Sequence, residues 1–256
     1  MKEKLEAFEK LLLIMDELRE KCPWDRKQTF ESLRNLTIEE TYELADAIIE
    51  NNTEEIKKEL GDIMLHLVFY SKIGSEISAF DIKSVLDSIS EKLIFRHPHV
   101  FGDTDVKNNP EVVKKNWEEL KIREGNNSVL GGVPNSLPAM IKANRIQEKV
   151  RAVGFDWEEP DQIWEKVQEE LNEFKIEIDK MDREKMEAEF GDLLFSVINA
   201  ARLYDIDPET ALEKTNKKFI KRFNYLEKNT LKKGKKLKNM TLDEMNAIWE
   251  EAKKLD

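Results

Sequence analysis

The strongest constraint on this chain is a pattern of acidic residues carried twice at one interval. Glu39-Glu40-x-x-Glu43 is followed by Glu59-x-x-Asp62, and Glu169-Glu170-x-x-Glu173 by Glu189-x-x-Asp192, each acid 130 residues after its counterpart. Five positions at one offset, with no insertion between the two groups of acids, mark a duplicated unit. Residues three or four apart share a helical face, with Cβ atoms about 5–6 Å apart. Glu40 and Glu43 therefore lie together, as do Glu59 and Asp62. Turns expected at Asn51-Asn52 and from Asp179 to Arg183 fold each pair of helices back, bringing the acids opposite each other.

Two unit charges about 4 Å apart repel by roughly 4 kcal/mol at an effective dielectric near 20. A converging set of carboxylates therefore protonates in part or gathers round a cation. All-oxygen ligands select a hard cation, and Mg²⁺ is the usual one when the substrate brings phosphates. In a chain that is 37% charged, an acidic helix face also has a plainer reading as solvated surface. Against that reading stand the recurrence and the apolar residues after each Gly-Asp, namely Ile63-Met64-Leu65 and Leu193-Leu194-Phe195, which place those acids at a buried boundary. The expected metal ligands are Glu39, Glu40, Glu43, Glu59 and Asp62 in the first copy, and Glu169, Glu170, Glu173, Glu189 and Asp192 in the second.

Helical periodicity runs from about residue 4 to 21 through Leu5, Phe8, Leu11, Leu12, Met15 and Leu18, and stops near Pro23. Thr37 is placed to cap a helix over about 38–50, with Glu40 three residues on completing a capping box. Further helices are expected at about 53–75, and from Phe80-Asp81 to Arg96 with Val85, Leu86, Ile89 and Leu93 facing inward. His97-Pro98-His99 breaks the latter; the second half has no histidine, so a chemistry shared by both copies does not need these two. Gly125 to Pro138, with three glycines and two prolines, is the expected linker between domains at 1–124 and 139–256. Helices follow at about 139–150, 161–179, 183–203, 208–228 and 241–254, and nothing alternates with the period of a strand. The expected fold is all-α, two tandem helical bundles related by duplication.

Basic residues recur as well. Lys92-x-x-x-Arg96 matches Lys218-x-x-x-Arg222, and Trp117 to Lys121 matches Trp249 to Lys253. Each pair alone has a plain reading as solvated surface. In step with the acids they suit phosphate, arginine as a planar fork and lysine as a point charge. Lys232-Lys233-Gly234-Lys235-Lys236 is either a flap over phosphates or a solvated turn, and Trp24 and Trp157 are either hydrophobic plugs or surfaces for base stacking. Acids for a metal and bases for phosphates, without a Ser-His or Cys-His pair, suit metal-assisted attack of water on a phosphoanhydride.

A net charge of −11 argues against binding duplex nucleic acid. The single cysteine, Cys22, excludes an internal disulfide. No stretch approaches the roughly 20 apolar residues of a membrane span, and a cytoplasmic protein is expected.

Cys22-Pro23-Trp24-Asp25, Gln28-Thr29, the two acid patterns, Arg96-His97-Pro98-His99-Val100-Phe101 and Gly154-Phe155-Asp156-Trp157 together resemble the MazG family of nucleoside triphosphate pyrophosphohydrolases over nearly the whole chain. The resemblance implies the all-α NTP pyrophosphatase fold, a homodimer, and Mg²⁺-dependent hydrolysis of NTPs and dNTPs between the α and β phosphates to NMP and pyrophosphate, in a house-cleaning role. It implies catalysis in the second half, with Glu169, Glu170, Glu173, Glu189 and Asp192 on the metal and Lys218, Arg222, Trp249 and Lys253 on the substrate. Two other hypotheses are a nucleotide-binding regulatory module that does not hydrolyse, and a di-iron bundle. The latter wants Glu-x-x-His pairs, whereas aspartate stands three residues after Glu59 and Glu189.

Overall fold

The computed structural model describes residues 1–106, 109, 112–113, 116–117, 120, 128–157, 159–232 and 236–255. Lys121, residues 125–127 of the expected linker, and residues 233–235 of the basic run lie outside them. All regular structure among the described residues is helical. The chain parts into two units, Met1–Val113 and Lys114–Asp256.

The first unit contains α1 (Lys2–Lys21), α2 (Phe30–Ile49), α3 (Thr53–Glu76), α4 (Ile82–Arg96) and the single turn α5 (Pro98–Phe101). Helix α2 starts eight residues before the expected start at 38. Thr29 is its cap: the Ser32 amide donates to Thr29 Oγ1, and the Thr29 amide donates to Ser32 Oγ. Thr37 is not a cap, because its hydroxyl turns inward, donating to the Leu33 carbonyl at 3.0 Å and sharing a 2.7 Å hydrogen bond with the Tyr70 hydroxyl. Asn51, in the left-handed region at φ 54°, ends the turn, and Asn52 caps α3 by accepting from the Glu55 amide. Helices α1 and α2 both pack on α3. Their shared core is Met15, Leu33, Val68, Phe69 and Ile73, each worth about 1.5–3 kcal/mol in apolar burial. Gly74 is needed there, since a Cβ would lie 2.7 Å from the Phe80 ring.

Helix α4 departs from expectation. Val85, Leu86, Ile89 and Leu93 are exposed rather than inward, because among the described residues α4 packs mainly against α3 and α5, which leave its apolar stripe open.

The second unit contains α6 (Ala139–Arg151), α7 (Pro160–Lys180), α8 (Arg183–Leu203), α9 (Pro208–Lys232) and α10 (Leu242–Lys253). Met181, left-handed at φ 57°, reverses the chain between α7 and α8, and Asp182 caps α8 through the Lys185 amide. Helices α7 and α8 form the main pair, α6 packs on α8 and α9, and α10 packs on α9. Two lysines tie the preceding turns to α6: Lys142 Nζ donates to the Asn135 carbonyl at 2.6 Å and Lys149 Nζ to that of Val129 at 3.2 Å. Ile163, Ile198, Ala200, Leu226, Ile248 and Ala252 are buried, but so are Gln147, Glu170, Glu177 and Arg202. Such polar burial is stable only when paired or completed by a ligand.

Candidate functional site

In the first unit the one-turn spacing on α2 and the facing turn of α3 bring Glu40, Glu43 and Glu59 together, one carboxylate oxygen of each within 4.8 Å of the others. Glu59 is 3% exposed; Lys58 Nζ donates to its Oε1 at 2.8 Å, while its Oε2 is buried without a hydrogen-bond partner. Desolvation, then the charges of Asp62, Glu43 and Glu59, push the Glu40 carboxyl above the usual range. The charge of Asp62 acts on Glu40, but neither Asp62 nor the exposed Glu39 is among the three acids of the cluster.

The second unit repeats the arrangement with Glu170, Glu173 and Glu189, again within 4.8 Å. Here Glu170 is the buried member, and Lys166 on α7 supplies the counter-charge, its Nζ 2.8 Å from both Glu169 and Glu170. Those two carboxylates raise the pKa of the ammonium, which therefore stays charged. Glu173 is raised by desolvation and by the charges of Glu170, Glu189 and Glu169, with Lys166 opposing. Glu169 is exposed and engaged by Lys166 rather than by the cluster. Clusters of hard oxygen donors, with an orphaned buried oxygen on Glu59, fit a divalent cation such as Mg²⁺.

Beside the second cluster lies a cavity of about 580 Å³. Lys166, Glu170 and Asp192 line one part of it; Ile163, Phe195 and Trp157 are among its apolar walls, and Gln147, Ser196, Asn199 and Arg202 contribute polar groups. Gly154 at φ 89° bends the chain out of α6 so that Phe155-Asp156-Trp157 can form a wall. Arg202 holds that loop in place: it is buried, forks onto both oxygens of Asp156, and donates to Asn199 Oδ1 from Nε at 3.0 Å and Nη2 at 2.8 Å. In the first unit, Arg19 anchors the corresponding loop by donating to the Gln28 carbonyl and pairing with Glu76.

The sequence-derived basic residues form another group. The Arg222 guanidinium lies over the Trp249 ring, 5.9 Å from its centroid, and Phe219 meets the same ring at 4.9 Å. Lys253 Nζ donates to Glu250 at 2.6 Å, and Lys218 is exposed. None of Lys218, Arg222, Trp249 and Lys253 is among the residues lining the cavity. Lys166 was missed although it stands four residues before Glu170, the spacing that places both on one face. Arg202, Gln147 and Asn199 were missed for want of a local signal: Arg202 meets Asp156 across 46 positions and Gln147 meets Phe195 across 48.

The two units differ behind the acids. Position 69, 130 residues before Asn199, is Phe69, which is 2% exposed and part of the first core. Position 36, matching Lys166, is Leu36.

Comparison with known proteins matches residues 28–101 and 158–226 to the MazG nucleotide pyrophosphohydrolase domain. A nucleoside triphosphate pyrophosphohydrolase/pyrophosphatase MazG of Thermotoga maritima is 45% identical over 99% of this chain and 98% of its own. A nucleoside triphosphate pyrophosphohydrolase of Escherichia coli K12 is 38% identical over 98% of each. An uncharacterized Bacillus subtilis protein, YabN, is 44% identical over 92% of this chain and 49% of its own.

Proposed function

The chain belongs to the MazG nucleotide pyrophosphohydrolase family, and from that premise we propose that it hydrolyses NTPs and dNTPs between the α and β phosphates, leaving NMP and releasing pyrophosphate. The observation that carries the proposal is the carboxylate cluster of Glu170, Glu173 and Glu189 beside a cavity large enough for a nucleoside and also lined by Asp192. Glu170, Glu173, Glu189 and Asp192 hold Mg²⁺, with Glu169 at the edge of the set. Bound there, the cation neutralises the phosphates and acidifies water. A carboxylate of the cluster takes the proton as water attacks phosphorus, and a raised pKa of the kind Glu173 has suits that role. Lys218, Arg222, Trp249 and Lys253 are proposed as phosphate and substrate contacts, and Trp157 as a wall of the nucleoside site. Glu39, Glu40, Glu43, Glu59 and Asp62 form a second cation site in the first unit.

The proposal includes a homodimer in the cytoplasm. Uncovered apolar faces on α4 (Leu86, Ile89, Leu93) and α9 (Phe219, Ile220, Phe223) support a partner subunit. No helix among the described residues is long and apolar enough to cross a membrane.

The test is release of pyrophosphate from dATP by Glu170→Gln and Asp192→Asn. Because even outer-shell partners of a metal are worth about 10–100-fold, loss of a direct ligand should cost at least about a hundredfold, with helical circular dichroism retained. Glu40→Gln and Asp62→Asn report the share of the first unit. Unaltered release by all four variants would rule the proposal out.

A further inference from the structure

The segment Gly154-Phe155-Asp156-Trp157 walls the cavity of the second unit without being buried itself. Phe155 is 78% exposed and Trp157 39%, so apolar burial does little to hold it. The helices it joins do not fix it either, since α6 and α7 each pack chiefly on α8. What turns inward is the Asp156 side chain, 20% exposed, onto Arg202 of α8, 7% exposed. Arg202 Nη1 donates to Asp156 Oδ2 at 3.3 Å and Nη2 to Oδ1. Arg151 adds a lesser grip, its Nε 3.3 Å from Oδ2. Two more donations from Arg202 go to Asn199 Oδ1, so four contacts engage a guanidinium that has five N–H groups. Although Arg202 lines the cavity, its donors are committed to the protein, as in a clasp and not as in a phosphate ligand.

We propose that Arg202 and Asp156 are positioning residues for the hydrolysis: acting through Trp157, their ion pair fixes the wall against which the nucleotide seats, and neither residue touches substrate. The inference rests on the hydrolysis proposed above, in which Trp157 walls the nucleoside site. A wall held chiefly by one side chain fails in a particular way. With the pair broken the segment leaves its place for part of the time, the binding-competent fraction falls, and KM rises by the same factor. The acids are untouched, because Asp192 stands ten residues before Arg202 on α8, about 15 Å along the axis. A nucleotide that is correctly seated therefore reacts at the same rate, and kcat holds. The first unit uses the matching position differently: Lys72 stands there and pairs with Asp16 of α1 at 2.6 Å, tying helix to helix.

The experiment measures kcat and KM for dATP by pyrophosphate release from the full chain at saturating Mg²⁺. The proteins are the wild type, Asp156→Asn, Arg202→Lys, Trp157→Ala and the double variant Asp156→Asn/Trp157→Ala. Asp156→Asn keeps the shape of the side chain and is expected to raise KM about tenfold, the value of one charged hydrogen bond, with kcat within about twofold of the wild type. Arg202→Lys is expected to act the same way, because a lysine keeps the charge and loses the fork. Asp156→Asn, on an exposed segment, carries the test even if Arg202→Lys does not fold. Trp157→Ala raises KM by itself, and adding Asp156→Asn to it has no further effect, because the clasp then has no wall to hold. A purely structural role gives additive losses instead. Hydrogen exchange supplies a reading independent of turnover: amides of residues 154–157 exchange faster in Asp156→Asn, while those of α7 and α8 do not. An unchanged KM in Asp156→Asn or Trp157→Ala, a loss confined to kcat, additive effects in the double variant, or unchanged exchange overturns the positioning and leaves the hydrolysis standing. Release of no pyrophosphate by the wild type takes down both.

Discussion

The chemistry of single residues here is dominated by negative charge held closer together than water would allow. Glu40 is raised by desolvation and then by Asp62, Glu43 and Glu59; Glu173 by desolvation and then by Glu170, Glu189 and Glu169. A carboxyl raised in the folded state binds a proton more readily there than in the unfolded chain, so it destabilises the fold at neutral pH, and that cost disappears as pH falls through its folded value. Without metal, Glu40→Gln should therefore melt at or above the wild-type temperature at pH 7. That advantage should vanish below the ordinary carboxylate range, and saturating Mg²⁺ should reverse the order by stabilising the first unit more in the chain that retains Glu40. Melting scans across pH with and without Mg²⁺ check this, and a wild type more stable than the variant under all conditions would contradict it. The acids themselves were legible in the sequence because helical spacing is a local property. Their counter-charges were less so. Lys58 neutralises Glu59 from the next position, while Lys166 reaches Glu170 from four positions earlier, so the duplication preserved the acids and not the lysines.

Among the elements, helix existence followed from periodicity and helix boundaries from caps. Helix α8 matches its expected span because Asp182 accepts from an amide three positions on. Helix α2 does not, because two threonines compete for the cap, and Thr29 wins through a reciprocal exchange with Ser32 while Thr37 finds Tyr70, a partner 33 residues away. Thr29→Ala should cost the first unit about 1 kcal/mol, and Thr37→Val should leave the start of α2 in place; hydrogen exchange at the first-turn amides distinguishes them. Met181 sits in the left-handed region that glycine tolerates best. Met181→Gly should accordingly raise stability by up to about 1 kcal/mol, measured by chemical denaturation. The inward face expected for α4 failed for a different reason: an apolar stripe announces that it will be covered, not by what.

For the molecule as a whole, that exposed stripe is what the proposed homodimer would cover. A homodimer should sediment at about 60 kDa, twice the 30.1 kDa chain. Leu86→Arg, at the middle of the α4 stripe, should shift it toward the monomer without loss of helicity. A wild type that sediments as a monomer at micromolar concentration would count against the dimer. The duplication itself was fully legible, since one offset carries five acids. What lies behind the acids was not, because a cavity is a property of packing between distant helices.

Phe69 makes the two copies unequal behind their acids. To gain an amide where Asn199 has one, the first half would have to place a carboxamide among Met15, Leu33, Val68 and Ile73. A large-to-small change of this kind in a core costs about 3–5 kcal/mol before the stranded polar group is counted. That is a substantial share of what holds a domain together. The filled half therefore has no cheap single-step route to a polar group at that position, and the two copies are not interchangeable behind their acids.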